Sequence, residues 1–247
     1  MTGRPSPRVL AHRGDTTAAA TENTIAAFLA AAAAGASGVE LDVRRTADGA
    51  LVVVHDAVVE GVGPVADARL RDLPADVAVL DEALGVLEGL VVNVEIKNDP
   101  REPGYDAGGS LAHAVVAVVL EHEGADRAVV SSFDLPTIDA VRQASATLQT
   151  GWLLGRAAHP LDAVPVAAAR AVSALHLFVG TVGPDVVAAA HGAGLDVAVW
   201  TVNSRHDLER VVAAGVDAVI TDDVALALEV LAADEPARNG VAGPASA

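Results

Sequence analysis

The feature that most constrains this chain is an alternation. Short runs rich in Val, Ile and Leu recur along the sequence, and Ala-rich helical stretches fall between most of them. The runs begin with "RVLAH" (8–12), "GVELDV" (38–43) and "ALVVVHD" (50–56). They continue with "LVVNVEIK" (90–97), "RAVVSSF" (127–133), "TLQTGWLL" (147–154), "SALHLF" (173–178), "LDVAVWTV" (195–202) and "VDAVIT" (216–221). The helical stretches repeat apolar residues every three or four positions. In "ENTIAAFLAAAAAG", Ile25, Phe28, Leu29 and Ala32 share a face, and Gly35 stands where a C-terminal cap belongs. "LAHAVVAVVLEHEG", "LPTIDAVRQA", "GPDVVAAAHGAG" and "SRHDLERVVAAG" read the same way. Such alternation along a whole chain predicts a parallel sheet with helical crossovers, and about eight repeats suit a closed (β/α)8 TIM barrel. An open doubly wound sheet is the alternative. The turn "TADG" joins the second and third runs by a tight Asp-Gly reversal, and a short inserted segment is expected after the second or third strand.

The 247 residues are 52% hydrophobic, enough to bury one large core. No internal linker calls for a second domain, so residues 8–233 are expected to form one barrel, with residues 1–7 and the tail 234–247 disordered. Aromatics make up only 2%, so small and branched side chains must fill the core. Cysteine is absent, which removes disulfides, thiolate nucleophiles and cysteine-ligated metals and fits a reducing cytoplasm. The formal net charge of −17 argues against nucleic acid or anionic membrane as a partner, because both need clustered Lys and Arg. "NTIAAFLAAAAAGASGV" is broken by glycines and too short to span a bilayer, and the N-terminus lacks a leader pattern. A cytoplasmic protein with no stable membrane insertion is the expectation; the sequence does not fix its oligomeric state.

Within this frame several polar residues stand out. Glu40 and Asp42 in "VELDV", like Glu95 and Lys97 in "NVEIK", are two apart and so point the same way, about 6.6 Å apart along the strand. Most acids simply mark solvated strand ends. Two such strands aimed at one barrel mouth would instead gather three carboxylates that repel one another unless a cation lies among them. Oxygen-only ligation selects a hard divalent ion, Mg²⁺ or Ca²⁺. His12 and His55, ending or following strands, could share acid and base duties near neutral pH, with Asp56 orienting His55. Arg13 and Lys97 supply cations suited to phosphate oxygens. His113, His122, His159, His191 and His206 read as surface or packing residues, whereas His176, inside a strand, could reach the site. Trp200 at a strand end could offer a flat wall to a small polyol, while Trp152 reads as core. Neither a Walker-type glycine loop nor an isolated GxSxG elbow is present.

"AHRG", "ENTIAAF", "GVELDVRRTADGALVVVHD", "VEIK", "SSFD" and "VWTVN…AAGVDAVITDD" stand in the order seen in glycerophosphodiester phosphodiesterases, and the chain resembles that family from about Val9 to Leu231. The resemblance implies a (β/α)8 barrel that hydrolyses a small-molecule glycerophosphodiester to an alcohol and glycerol 3-phosphate with a divalent cation. It assigns His12 and His55 as the acid/base pair, Arg13 and Lys97 as phosphate contacts, and Glu40, Asp42 and Glu95 as metal ligands. Trp200 and Phe133 would line the glycerol pocket, and Glu22 would hold Arg13 in place. Two positions depart from the family pattern. Thr21 replaces a proline before "ENT", and "HDAVVEGVGPVAD" is a few residues shorter than usual, which bears on substrate range. The rival readings are a phospholipase-type lyase that forms a cyclic phosphate and a noncatalytic phosphodiester-binding module.

Overall fold

The computed structural model describes residues 5–17, 20–122 and 124–239, the last six by their backbone. The strands are β1 (Arg8–His12), β2 (Gly38–Arg45), β3 (Leu51–Val53), β4 (Val58–Val59), β5 (Gly63–Pro64), β6 (Val91–Ile96), β7 (Ala128–Ser132), β8 (Gln149–Leu154), β9 (Ala174–Phe178), β10 (Asp196–Trp200) and β11 (Ala218–Thr221). Alternating with them are α1 (Ile25–Ala33), α2 (Leu80–Val86), α3 (Ser110–Glu121), α4 (Leu135–Ala144), α5 (Pro160–Ala169), α6 (Pro184–Gly192), α7 (Arg205–Ala214) and α8 (Val224–Asn239). β1, β2 and β6 to β11 pair in parallel around a ring that closes where β1 meets both β11 and β2. This is the (β/α)8 barrel, and the doubly wound alternative is excluded.

The third apolar run is not a barrel strand. β3 pairs antiparallel with β2 as a hairpin extension, Val43 opposite Val53, and ends two residues before His55. Beyond it, the β4–β5 ribbon and two short 3₁₀ turns form the inserted segment and pack over a small cluster of Val52, Val65, Ala68 and Leu73. α8 runs through Asn239, so part of the expected C-terminal tail is helical backbone. Residues 1–4 and 240–247, also assigned to the expected termini, lie outside the described residues.

Strand alternation explains how apolar runs can carry acids. Along β2, Val39, Leu41 and Val43 are buried in the same cluster as Phe28 and Ala31 of α1, while Glu40 and Asp42 face the barrel axis. β6 repeats the scheme, with Val92, Val94 and Ile96 outward and Asn93 and Glu95 inward. Burying one side chain such as Phe28 contributes about 1.5–3 kcal/mol, and one continuous cluster joins barrel to helices all round. Polar side chains cap the starts of several helices. Thr24 caps α1 by accepting from Ala27 N, Asp134 caps α4 from Thr137 N, and Ser204 caps α7 from Asp207 N. The loops before α4 and α7, two and four residues long, fix that part of the barrel mouth.

Candidate active site

Parallel register brings His12 level with Glu40, Glu40 level with Asn93, and Asp42 level with Glu95, so β1, β2 and β6 present their polar side chains in two adjacent layers. Glu40, Asp42 and Glu95 are all buried, and one carboxylate oxygen from each lies within 4.8 Å of the others. Asp42 is the best-compensated member. It takes Arg13 Nε at 3.1 Å, Lys97 Nζ at 3.0 Å and the Asn23 amide at 2.8 Å. Burial works to raise its pKa, but Lys97, Arg13 and Asn23 outweigh it and the net shift is downward. Glu95 receives Lys97 Nζ at 2.6 Å, yet burial still raises its pKa. Among the described residues the ion-pair contact of Glu40 is the His12 ring, Nε2 at 4.0 Å, with no Lys or Arg as near. Burial and then the charge of Asp42 push the pKa of Glu40 up to about 8, and its Oε1 has no hydrogen-bond partner. An all-oxygen trio with one orphaned, hard-to-ionise carboxylate is a donor set that fits a hard divalent cation.

Arg13 is held in place from several directions. Its backbone adopts φ 57°, its N–H donates to Glu40 Oε2 at 3.2 Å, and Nη1 donates to Glu22 at 2.8 Å. The next residue must be glycine: Gly14 has φ 88°, and a Cβ there would lie 2.6 Å from that of Ala27. Asn23 also has positive φ, 58°, and clamps Asp42 from both sides, donating through Nδ2 and accepting the Asp42 N–H at 3.2 Å. Nη1 of Arg13 is committed to Glu22, while Nε faces Asp42 as an ion pair without an aligned hydrogen bond.

Each histidine is oriented through Nδ1. His12 Nδ1 meets Asp222 Oδ1 at 2.7 Å, and Asn203 steadies Asp222 in turn. His55 Nδ1 meets Asp56 Oδ1 at 2.7 Å. An ionised carboxylate can only accept, so Nδ1 carries the proton in both rings and Nε2 is the free position. Their environments differ. Burial works to lower the His12 pKa, but the Asp222 hydrogen bond and the Glu40 charge outweigh it and shift it above 6.5. Burial and then the charge of Lys97 shift His55 below 6.5.

His12, Arg13, Glu40, His55, Glu95 and Lys97 open onto one cavity of about 120 Å³, shared with Asn93, Phe133 and Trp200. Trp200 stacks edge-on against Phe133 and Phe178, with ring centroids 5.4 and 5.7 Å away, and donates its indole N–H to the His176 carbonyl. Two clefts of about 390 and 300 Å³ flank the cavity, and His55 lines both. Val58, Val59 and Glu60 of the inserted segment border the smaller one.

All nine residues singled out for the site therefore converge, eight of them on the cavity itself and Asp42 just behind it. His176 does not reach it. Its ring fills the space over Gly151, where a Cβ would lie 2.4 Å from Nε2, and burial lowers its pKa to about 4. Trp152 packs against the main core. His122 pairs with Asp81 and His191 with Asp217, while His113, His159 and His206 are exposed. Sequence reasoning overlooked Asn23, Asn93 and Asp222. The first lies inside "ENT", the second alternates with Glu95 in "NVEIK", and the third follows the last strand in "ITDD".

In class, the protein is a phosphoric diester hydrolase built on a (β/α)8 barrel, with its functional groups at the C-terminal mouth of the strands. The sequence profile of the glycerophosphoryl diester phosphodiesterase family matches residues 12–226, and the chain belongs to that family. It is 31% identical to the glycerophosphodiester phosphodiesterase of Caldanaerobacter subterraneus subsp. tengcongensis, over 87% of this chain and 93% of the relative. The crystal structure of the Thermotoga maritima glycerophosphodiester phosphodiesterase superposes with a TM-score of 0.76 at 27% identity, covering 92% of this chain and 99% of the other. An Oleispira antarctica phosphodiesterase in complex with the product sn-glycerol-3-phosphate shares the fold, with a TM-score of 0.82 at 23% identity over 92% and 97% of the two chains.

Proposed function

We propose that this protein hydrolyses glycerophosphodiesters to an alcohol and glycerol 3-phosphate with a divalent cation, His12 and His55 moving the protons. The observation that carries this reading is the meeting of two histidines, each with Nδ1 tied to a carboxylate, with a buried carboxylate trio and two cations on one cavity. Mg²⁺ or Ca²⁺ held by Glu40, Asp42 and Glu95 would polarise the phosphoryl oxygens and neutralise charge as it develops. The Arg13 guanidinium and the remaining Lys97 proton bind those oxygens directly. His55, the ring with the lowered pKa, is neutral near pH 7 and accepts the proton of the nucleophile at Nε2. His12, with the raised pKa, donates its Nε2 proton to the leaving alkoxide. Phe133 and Trp200 cover the glycerol carbons. The product bound to the Oleispira antarctica relative supports the glycerol 3-phosphate end of this assignment. Either water or the glycerol 2-hydroxyl suits the nucleophile; the latter passes through a cyclic phosphate. Among the described residues no helix is long and apolar enough to cross a membrane.

The test is a panel of glycerophosphodiesters offered to chelator-stripped protein with Mg²⁺, Ca²⁺ or Mn²⁺ restored separately and the phosphate product identified. Release of glycerol 3-phosphate with at least one cation is expected. If no cation restores it from any member, the reading fails; a cyclic phosphate as the final product from diacyl lipid would favour the lyase instead.

A further inference from the structure

One polar side chain facing the cavity has no partner at all. Asn93 is 1% exposed, and both its Oδ1 and its Nδ2 are buried without a hydrogen bond. It is not a stray packing residue, since its neighbours Val92 and Val94 take the outward positions and Asn93 lines the catalytic cavity. In register it sits level with Glu40, whose Oε1 is also orphaned, one layer below Asp42 and Glu95. Ser131, level with Glu95 on β7, is buried and its hydroxyl is also unpartnered. An amide stripped of water without compensation costs folding free energy, and an apolar residue of similar shape would serve the fold better. The orphaned atoms of Asn93 and Glu40 belong to residues that line the cavity where three carboxylates have gathered.

We infer that Asn93 is a further residue of the divalent-cation site, its Oδ1 completing the cation's oxygen shell directly or through a bound water while Nδ2 faces the ring of acceptors. A small hard cation prefers six or more oxygens and retains waters, more than three carboxylates provide one atom at a time. The inference rests on the cation assigned above.

Isothermal titration of Mg²⁺, Ca²⁺ and Mn²⁺ into chelator-stripped wild type, Asn93→Leu and Asn93→Asp separates this role from a structural one, read together with metal-free melting temperatures. Asn93→Leu should bind the cation about 10- to 100-fold more weakly, as loss of a ligand-supporting group does. It should melt at the same or a higher temperature without metal, because an uncompensated amide has been removed. Asn93→Asp should show the reverse: a lower metal-free melting temperature and undiminished or tighter binding. Unchanged affinity in Asn93→Leu overturns the inference, and so does a lowered metal-free melting temperature there, which marks Asn93 as a packing residue. If Asn93→Leu does not fold, weakened binding by Asn93→Asp is the overturning result. Wild type that binds no divalent cation removes the cation reading itself, an outcome distinct from either.

Discussion

The two halves of the barrel mouth are built on different physics. On the side of β1, β2 and β6, charged groups hold one another: Arg13 spans Glu22 and Asp42, Lys97 spans Asp42 and Glu95, and both histidines are tied to carboxylates. On the side of β7, β9 and β10, Phe133, Phe178 and Trp200 meet edge to face with a single indole hydrogen bond among them. The first half is preset electrostatics around three buried carboxylates, with Glu22, Asp56 and Asp222 at its exposed rim. The second is a shaped apolar wall. Transition-state stabilisation should therefore reside in the charged half, and ground-state affinity in the aromatic half.

The largest effect should come from breaking the charged half at its centre. Asp42→Asn, or removal of divalent cations, should lower kcat/KM by about 10³-fold or more, the several kcal/mol expected of a cation at a phosphoryl centre. Restoring metal to chelated wild type, but not to the variant, should recover product release. His12→Ala and His55→Ala should each reduce kcat by about 10²- to 10⁴-fold with an unchanged circular dichroism spectrum. A variant of either retaining near-normal kcat would end the acid/base assignment. The two histidines should also shape the pH profile of kcat/KM. With His55 shifted below 6.5 and required neutral, activity falls as pH drops through its pKa; with His12 shifted above 6.5 and required protonated, activity falls as pH climbs through its own. A bell results, and His55→Ala should lose the acid limb while keeping the basic one.

The aromatic half offers the counter-test. Trp200→Leu should raise KM about 10-fold, some 1.4 kcal/mol of lost ring contact, and leave kcat within about threefold. A loss of kcat as deep as that of His12→Ala would erase the distinction between the halves. Smallest of all, Thr24→Ala removes the cap that starts α1 just past the Arg13 loop. It should cost about 1 kcal/mol of stability in urea unfolding and leave kcat unchanged, provided the charged half is held by its own ion pairs and not by the helix start.

Much of this was legible in the sequence because strands and helices impose periods. The alternation of "VELDV" gave both the outward core residues and the inward acids, and "LPTIDAVRQA" coincides with α4 from Leu135 to Ala144. Other elements were hidden for definite reasons. α5 carries Pro165 within an alanine-rich stretch that lacks a marked polar face, and α2 is only seven residues long. "ALVVVHD" has the composition of a strand, but only Leu51–Val53 pairs, and it pairs antiparallel, because the Asp-Gly turn reverses the chain before a crossover can form. His176 looked like a site residue because it shares the inward face of its strand. Depth along the axis, which periodicity does not encode, leaves it beneath Trp200 and over Gly151.

The sequence by itself determined the alternation of strands and helices, the inward and outward faces of the strands, and which chemical groups share the inward faces, since these follow from local spacing and residue type; spacing alone left the closed barrel and the open doubly wound sheet both standing. Only the tertiary structure decided which groups are committed to one another and which are left free. The pairing of His12 with Asp222 crosses 210 positions of chain, and the Asn23 clamp on Asp42 requires two left-handed residues to meet a neighbouring strand. The isolation of Asn93 is equally invisible along the chain. Closing a parallel ring sets ends from different strands side by side, and around buried carboxylates the distance between charged and polar groups, not their presence, fixes what each can do.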